Sequence, residues 1–212
     1  MNLFIFGGTG DLAKRKLLPA LYRHFKAERL SKDIKIYGIG SKELQASEYH
    51  EEIKIKLFDN LDSVEYDAAV INEFIKKISY IKIDFNKKND FANLKKNTSN
   101  TDRDIYYLAV SPLFYKVIAE NLNDQDIIGP LSSIIVEKPI GNDLQSSIDI
   151  NESLALYFNE HQIFRIDHYL GKEAVQNLLA LRFGNILFEK IWSNVAVDHI
   201  QITVAETLGL EN

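Results

Sequence analysis

Leu3-Phe4-Ile5-Phe6-Gly7-Gly8-Thr9-Gly10-Asp11-Leu12 stands at the head of the chain and sets the expected architecture. Four consecutive apolar residues suit a strand buried on both faces, because successive side chains point to opposite sides of a sheet. The strand runs straight into Gly7-Gly8-Thr9-Gly10. From Asp11 to Leu30 the apolar residues Leu12, Leu17, Leu18, Leu21, Tyr22 and Phe25 recur at helical spacing. Strand, glycine turn and helix together form the opening of a dinucleotide-binding unit. Glycines let the backbone approach a pyrophosphate, whose charge then rests on the helix N-terminus. The spacing is G-x-x-G rather than the full G-x-G-x-x-G, and a tight βα turn without a ligand would share it. Lys14, Arg15 and Lys16 fall in the first helical turns, against the helix dipole. That placement suits a solvated face, and more so the neighbourhood of phosphate.

The same alternation continues outward. Ile34 to Gly40 reads as a second strand, ending in Ser41-Lys42. In sites that prefer NAD an acid near this strand end takes the ribose 2′-hydroxyl. A hydroxyl and a lysine suit a 2′-phosphate better, with Glu43 as the neighbouring acid that opposes it. A long helical stretch is expected from about Ser47 to Ile78, with Ile53, Leu57, Leu61, Val70, Phe74 and Ile78 inward. Tyr80 to Phe85 reads as a third strand, and a short helix is expected around Phe91 and Leu94. Asp104 to Val110 is the fourth strand, followed by Ser111-Pro112 at a helix start. Ser132 to Val136 is the fifth, ending in Glu137-Lys138-Pro139-Ile140-Gly141, where Pro139 is a candidate for a cis peptide. A helix from Asp143 to Glu160 leads to a sixth, buried strand, Ile163 to Ile166. Strands that alternate with helices this regularly predict an α/β fold, a Rossmann-like doubly wound parallel sheet.

The pattern changes after Gly171. Ala174 to Phe183 is expected to be helical and Asn185 to Trp192 mixed. Asp198 to Glu206 alternates at period two, as a strand of an antiparallel sheet does. The domains are therefore expected at 1–167, the dinucleotide-binding Rossmann domain, and 168–212, the beginning of an incomplete α+β substrate domain. The latter is too short to close an antiparallel sheet, so the chain is read as a fragment.

Composition sets the outer bounds. The 212 residues are 46% apolar and carry a formal net charge of −5 with acids and bases interspersed. No basic aromatic patch points to nucleic acid, and no apolar run reaches membrane-spanning length. There is no cysteine, which excludes disulfides and thiolate metal sites. The N-terminus lacks the charged lead and cleavage site of a signal peptide. The expectation is a soluble cytoplasmic protein with no metal, no nucleic-acid partner and no membrane partner.

The densest chemistry lies in Arg165-Ile166-Asp167-His168-Tyr169-Leu170-Gly171-Lys172-Glu173. A strand leaves the sheet here and meets a carboxylate, an imidazole, a phenol and an ammonium. Open α/β sheets place ligands outside the carboxyl ends of their strands. His168 and Lys172 could face one anionic group. Each residue alone would read as part of a solvated loop, with an Asp–Lys pair worth little.

These motifs resemble those of the glucose-6-phosphate dehydrogenase family. Gly7 to Ala13 with Arg15-Lys16-Leu17 is similar to the family's coenzyme turn. Glu137-Lys138-Pro139-Ile140-Gly141 resembles its E-K-P-F-G, with Ile for Phe. Arg165 to Glu173 is similar to its R-I-D-H-Y-L-G-K-E, and the three fall in the family's order. The resemblance implies oxidation of glucose 6-phosphate to the lactone with reduction of NADP, NAD being the second coenzyme candidate. It implies coenzyme contacts from Gly7, Gly8, Thr9, Gly10, Asp11, Leu12, Ser41, Lys42 and Lys138. It implies that His168, Tyr169 and Lys172 hold the sugar phosphate and that Lys138 bridges substrate and coenzyme. Glu206 would contact sugar hydroxyls. Asp167 would stabilise the protonated form of a catalytic histidine, and Lys172 belongs to the same catalytic set. For the full-length protein it implies a homo-oligomer.

Two departures stand out. Ser41 occupies the position of the family's arginine for the 2′-phosphate, which leaves Lys42 as a point charge without a bidentate fork. The family's general-base histidine falls downstream of Glu206, and neither His161 nor His199 matches it, so this chain alone is expected to be inactive. Two other readings compete. One is a Rossmann sugar dehydrogenase of the glucose–fructose oxidoreductase type, against which the Arg165–Glu173 stretch argues. The other is a non-catalytic nucleotide-binding domain.

Overall fold

The structure, a computed structural model, describes residues 1–98, 102–167 and 169–203. Two compact units are present, Met1–Ile166 and Asp167–Asn212. The first is built on a six-stranded sheet of β1 (Asn2–Phe6), β2 (Lys35–Gly40), β3 (Ile78–Lys82), β4 (Asp104–Leu108), β5 (Ser133–Glu137) and β6 (Ile163–Ile166). The order across the sheet is β3-β2-β1-β4-β5-β6 and all pairings are parallel. This is the doubly wound order in which the chain reverses direction across the sheet between β1 and β4.

Every residue of β1 is buried, as the uninterrupted apolar run requires. Its alternating side chains enter two cores. Phe4 and Phe6 face one, where Phe4 stacks between Tyr37 and Tyr106 at centroid distances of 4.9 and 5.4 Å. Leu3 and Ile5 face the other, with Leu18, Tyr22, Ile53 and Phe74. Truncating a fully buried ring such as Phe6 to Ala would cost about 3–5 kcal/mol.

The helix after the glycine turn starts wide. Ala13–Leu17 is π-helical, with the Leu18 N–H donating to the Ala13 carbonyl, and then α1 (Leu18–Lys26) continues. Pro19 supplies the cause: it has no N–H to give and its ring crowds the preceding turn, so the ladder widens ahead of it.

The predicted helix from Ser47 to Ile78 is two helices, α2 (Ala46–Asn60) and α3 (Ala68–Ile75). Asp67 makes the second start, its carboxylate accepting from the N–H groups of Ala69 and Val70 at 3.0 and 3.1 Å. Ile78 is the first residue of β3 rather than the end of a helix, and β3 stops at Lys82 rather than Phe85. Short helical turns at Lys88–Phe91 and α4 (Ala92–Lys95) bury Phe91 and Leu94 as expected. After β4 come a turn of helix at Pro112–Phe114 and α5 (Tyr115–Asp124), and after β5 comes α6 (Leu144–Ala155). The Lys138–Pro139 peptide is cis.

One strand differs in character from its prediction. β6 is an edge, and only Ile163 of its four residues is buried; Phe164 is 49% exposed. Arg165 sits within it, gripping Glu160 at 2.7 and 3.2 Å and Asn151 at 2.7 Å. A charged residue on an edge strand discourages further strand pairing.

The second unit contains α7 (Glu173–Gly184) and α8 (Ile186–Ile191), whose large apolar residues are mostly exposed. The predicted strand at Asp198 is absent over 198–203, where the chain has no regular structure. Alternation permits a strand, but a strand forms only by hydrogen-bonding to another, and the described residues offer it none. Residues 204–206 of that prediction, including Glu206, lie outside the described residues. No described helix is long and apolar enough to cross a membrane, and no described group of His, Asp and Glu could hold a metal ion.

Candidate coenzyme and substrate sites

The glycine turn lies where β1 ends, beside β2 and β4. The Gly7 and Gly8 N–H groups both donate to the Ile39 carbonyl, at 2.9 and 2.8 Å, and the Gly10 N–H donates to Gly7 at 2.8 Å. The three glycines serve different ends. Gly7 has φ +82°, and a Cβ there would lie 2.3 Å from the Ala109 carbonyl oxygen. A Cβ on Gly8 would lie 2.6 Å from the Gly38 Cα. Both are demanded by the protein's own packing. Gly10 is exposed, and a Cβ there would meet only the Gly7 carbonyl oxygen, at 3.0 Å. Its bare face is the one left for something outside the chain.

That face opens on a cleft of about 400 Å³ at the carboxyl ends of β1, β4 and β5. The cleft is lined by Gly10, Asp11 and Leu12, by Ala109, Ser111 and Pro112, and by Glu137, Lys138 and Pro139. It therefore lies at the switch point of the sheet, where a doubly wound fold offers its crevice. The first N–H groups of a helix have no intrahelical acceptor and favour an anion, and the residues that begin the helix line this cleft. A diphosphate thus finds a bare backbone, a helix start and a nearby ammonium, so the residues present fit a dinucleotide.

The strand end that carries Lys138 is fastened by two tyrosines that sequence reasoning missed. The Tyr107 hydroxyl donates to the Glu137 carboxylate, and the Tyr115 hydroxyl donates to the Glu137 carbonyl at 3.1 Å. Burial pushes the Tyr107 phenol well above its ordinary range, and the bond to Glu137 pushes the same way. Tyr107 therefore stays a neutral donor. The signal was Tyr106-Tyr107 within an apolar strand, since a buried phenol needs a polar partner.

On the other side of the turn, β2 ends at Gly40 beside Thr9; a Cβ on Gly40 would lie 2.9 Å from the Thr9 Oγ1. Ser41 and Lys42 follow, both exposed. Gly38, mid-strand, makes room for the buried Tyr49 ring of α2, whose hydroxyl donates to the Gly8 carbonyl at 2.9 Å. The Tyr80 hydroxyl donates to the Lys42 carbonyl at 2.7 Å. Glu43, the acid expected to oppose a 2′-phosphate at Lys42, pairs with Lys82. The acid that meets Lys42 is Glu52, at 3.4 Å, and Glu52 also takes Lys14 at 2.5 Å. Its carboxyl is held below its ordinary range, chiefly by the hydrogen bond from Lys14. Lys14 is not on a solvated face, its side chain being only 14% exposed. Arg15 pairs with Asp11 at 3.1 Å on the surface. The described geometry thus divides the predicted coenzyme residues. Gly10, Asp11, Leu12 and Lys138 share the cleft, while Gly8 and Thr9 adjoin the β2 end that carries Ser41 and Lys42.

In the second unit the chain after β6 forms a compact turn. The Asp167 Oδ1 accepts from the Tyr169 N–H at 3.0 Å, and the Leu170 N–H donates to the Asp167 carbonyl at 3.2 Å. Lys172 caps α7 through its backbone, its carbonyl accepting from Val175 and Gln176 at 3.0 and 3.1 Å. The Lys172 Nζ lies 4.2 Å from the centre of the Tyr169 ring, a cation–π contact worth about 0.5–1 kcal/mol when exposed. A phenol and an ammonium are thereby brought together on the surface. His168 lies outside the described residues. His199 is exposed and meets Asp198 at 2.9 Å.

Comparison with known proteins gives consistent matches. The model of the family described as "Glucose-6-phosphate dehydrogenase, NAD binding domain" matches residues 4–177, and that of its C-terminal domain matches 179–212. A glucose-6-phosphate 1-dehydrogenase of Rhizobium meliloti is 43% identical over 210 residues, 98% of this chain and 43% of its own. That of Buchnera aphidicola subsp. Schizaphis graminum is 42% identical over 215 residues, all of this chain and 43% of its own. A crystal structure of the enzyme from Mycobacterium avium superposes with a TM-score of 0.83 at 32% identity, covering 92% of this chain and 42% of that one. A glucose-6-phosphate dehydrogenase in complex with glucose 6-phosphate gives 0.83 at 33% identity, with the same coverage. The chain spans less than half the length of the relatives it matches.

Proposed function

Because the chain belongs to the glucose-6-phosphate dehydrogenase family, we propose that it forms the coenzyme-binding part of an enzyme that oxidises glucose 6-phosphate to its lactone with NADP. The observation that carries this reading is the cleft at the β1/β4 switch point, where Gly10, the helix start and Lys138 converge. The coenzyme, when bound, supplies the nicotinamide C4 that accepts the hydride from C1 of the sugar. The protein's own residues hold and orient. Gly7, Gly8 and Thr9 shape the turn, Gly10, Asp11 and Leu12 present bare backbone to the diphosphate, and Ser41 and Lys42 stand at the ribose end. Lys138 reaches both ligands from the strand end fastened by Tyr107 and Tyr115.

The domain division proposed is 1–167 for the coenzyme and 168–212 for the beginning of the substrate domain. On the substrate side, His168, Tyr169 and Lys172 hold the phosphate. The Lys172 ammonium contributes charge-assisted hydrogen bonds, the stronger kind, and Glu206 takes sugar hydroxyls. Asp167 holds a histidine in its protonated form while C1–OH loses its proton, so that one hydride and one proton leave the sugar together. Homo-oligomeric assembly and a cytoplasmic location belong to the same reading.

Calorimetric titration of the chain with NADP and with NAD tests the coenzyme half. Saturable one-site binding of at least one is expected, and no heat from either would refute it. The substrate half is tested by following NADPH formation in a protein of full family length. Absence of turnover with glucose 6-phosphate, where coenzyme binds, would refute the substrate assignment alone.

A further inference from the structure

We propose that Glu52 is the residue that sets coenzyme preference, by occupying the two lysines that a 2′-phosphate would otherwise engage. The inference rests on the coenzyme reading above and deepens it. Three separate elements bring charge to the carboxyl end of β2: Lys14 from the helix after the glycine turn, Lys42 just beyond β2, and Glu52 from α2. The position is fixed from several sides. Tyr49, one turn before Glu52 on the same helix, is bonded to the Gly8 carbonyl, and Tyr80 holds the Lys42 carbonyl. This strand end is where dinucleotide sites tell a ribose 2′-hydroxyl from a 2′-phosphate, by an acid for the first and a base for the second.

Ser41 carries no charge, and Glu43, just beyond Lys42, is paired with Lys82. The local sum of Lys14, Lys42 and Glu52 is one positive charge. Glu52 is the internal anion: one oxygen at 2.5 Å from Lys14, the other at 3.4 Å from Lys42. Lys14 is nearly covered, and the Glu52 carboxylate is 33% exposed. An arriving 2′-phosphate must share both lysines with that carboxylate and feel its repulsion, whereas a 2′-hydroxyl does not. The carboxylate therefore narrows the gap between NADP and NAD. A plain surface pair would have no such consequence, because it would not stand at the one strand end that reads the ribose.

The test is calorimetric titration of the parent chain and Glu52→Gln with NADP and NAD, at low and high salt. Removing the charge should tighten NADP about fivefold to tenfold and change NAD by less than about twofold, and the gain should shrink at high salt. Lys42→Gln should move the NADP to NAD ratio the other way, and Glu52→Ala, which removes the same charge, decides the matter should Glu52→Gln fail to fold. A ratio that stays put or falls in Glu52→Gln overturns the proposal; a fall would mean that Glu52 positions the lysines for phosphate. If neither coenzyme binds the parent, the coenzyme reading fails and this inference with it. If both bind and only the ratio refuses to move, this inference fails alone.

Discussion

Substituting the three turn glycines one at a time should separate folding from binding. A Cβ on Gly8 would lie within 2.6 Å of the Gly38 Cα and 2.8 Å of the Ile39 nitrogen, both backbone atoms that cannot swing aside. Gly8→Ala is an overpacked core substitution, for which about 1–3 kcal/mol is typical. With about 2–4 °C of melting temperature per kcal/mol for a domain of this size, the expected loss is roughly 2–12 °C. Gly7→Ala adds a positive φ of 82° to a contact of 2.3 Å and should be at least as harmful. Gly10→Ala meets one carbonyl oxygen at 3.0 Å with no positive φ. There, the reduced entropy of the unfolded chain, about 0.4–1 kcal/mol, offsets the crowding. Its melting temperature should stay within about 2 °C of the parent, and Gly10→Val should follow closely. Yet Gly10 lines the cleft, and the valine methyls would fill the space a diphosphate needs. Coenzyme affinity should fall by at least about a hundredfold, close to 3 kcal/mol. Thermal melts and calorimetry on the same samples are the assay. A folded Gly10→Val protein that binds NADP and NAD as the parent does would refute the placement of the diphosphate across this turn.

Tyr107→Phe removes a donor to the Glu137 carboxylate and should cost about 1.5–3 kcal/mol, the range for hydrogen bonds to charged groups, which chemical denaturation will read. Glu52 has a folded pKa below its ordinary 4.5, so its pairs stabilise fully above that value and lose their effect as pH falls through the lower folded pKa. The melting difference between parent and Glu52→Gln should therefore be constant near neutrality and close in acid; a difference that widens in acid would contradict the pairing. In a protein of full family length, Lys172→Ala should raise KM for glucose 6-phosphate about tenfold or more through loss of a phosphate contact, with kcat little changed. Asp167→Asn should instead lower kcat by about a hundredfold or more, because an amide cannot stabilise an imidazolium as a carboxylate does. Steady-state kinetics separate the two, and intact turnover in Asp167→Asn would remove that residue from the machinery.

What the sequence disclosed and what it withheld follow from the range of the forces involved. The βα alternation was legible because burial on both faces writes an unbroken apolar run, as in Leu3 to Phe6, and helices write a different period. The break between α2 and α3 was hidden because Ile53, Leu57, Leu61 and Phe74 are all apolar; only Asp67, a good cap, marked it. Ile163 to Ile166 was expected to be a buried strand, yet Arg165 interrupts its apolar run and three of its four residues are exposed on the edge. The period-two run after Asp198 named a strand whose hydrogen-bonding partner no local pattern can supply. The site divides along the same line. Local motifs made the turn, Lys138 and the Asp167–Lys172 segment candidates, because each is contiguous. The meeting of Lys14, Lys42 and Glu52 is not contiguous, and no spacing rule brings three elements to one point. Even within the turn the letters are silent about cause. Gly7, Gly8 and Gly10 look alike in sequence, but two are glycine for the sake of neighbouring strands and one for open space. A substitution tolerated by the fold and not by a ligand can exist only at the third, which is why Gly10, and not its neighbours, is the place to ask what this protein binds.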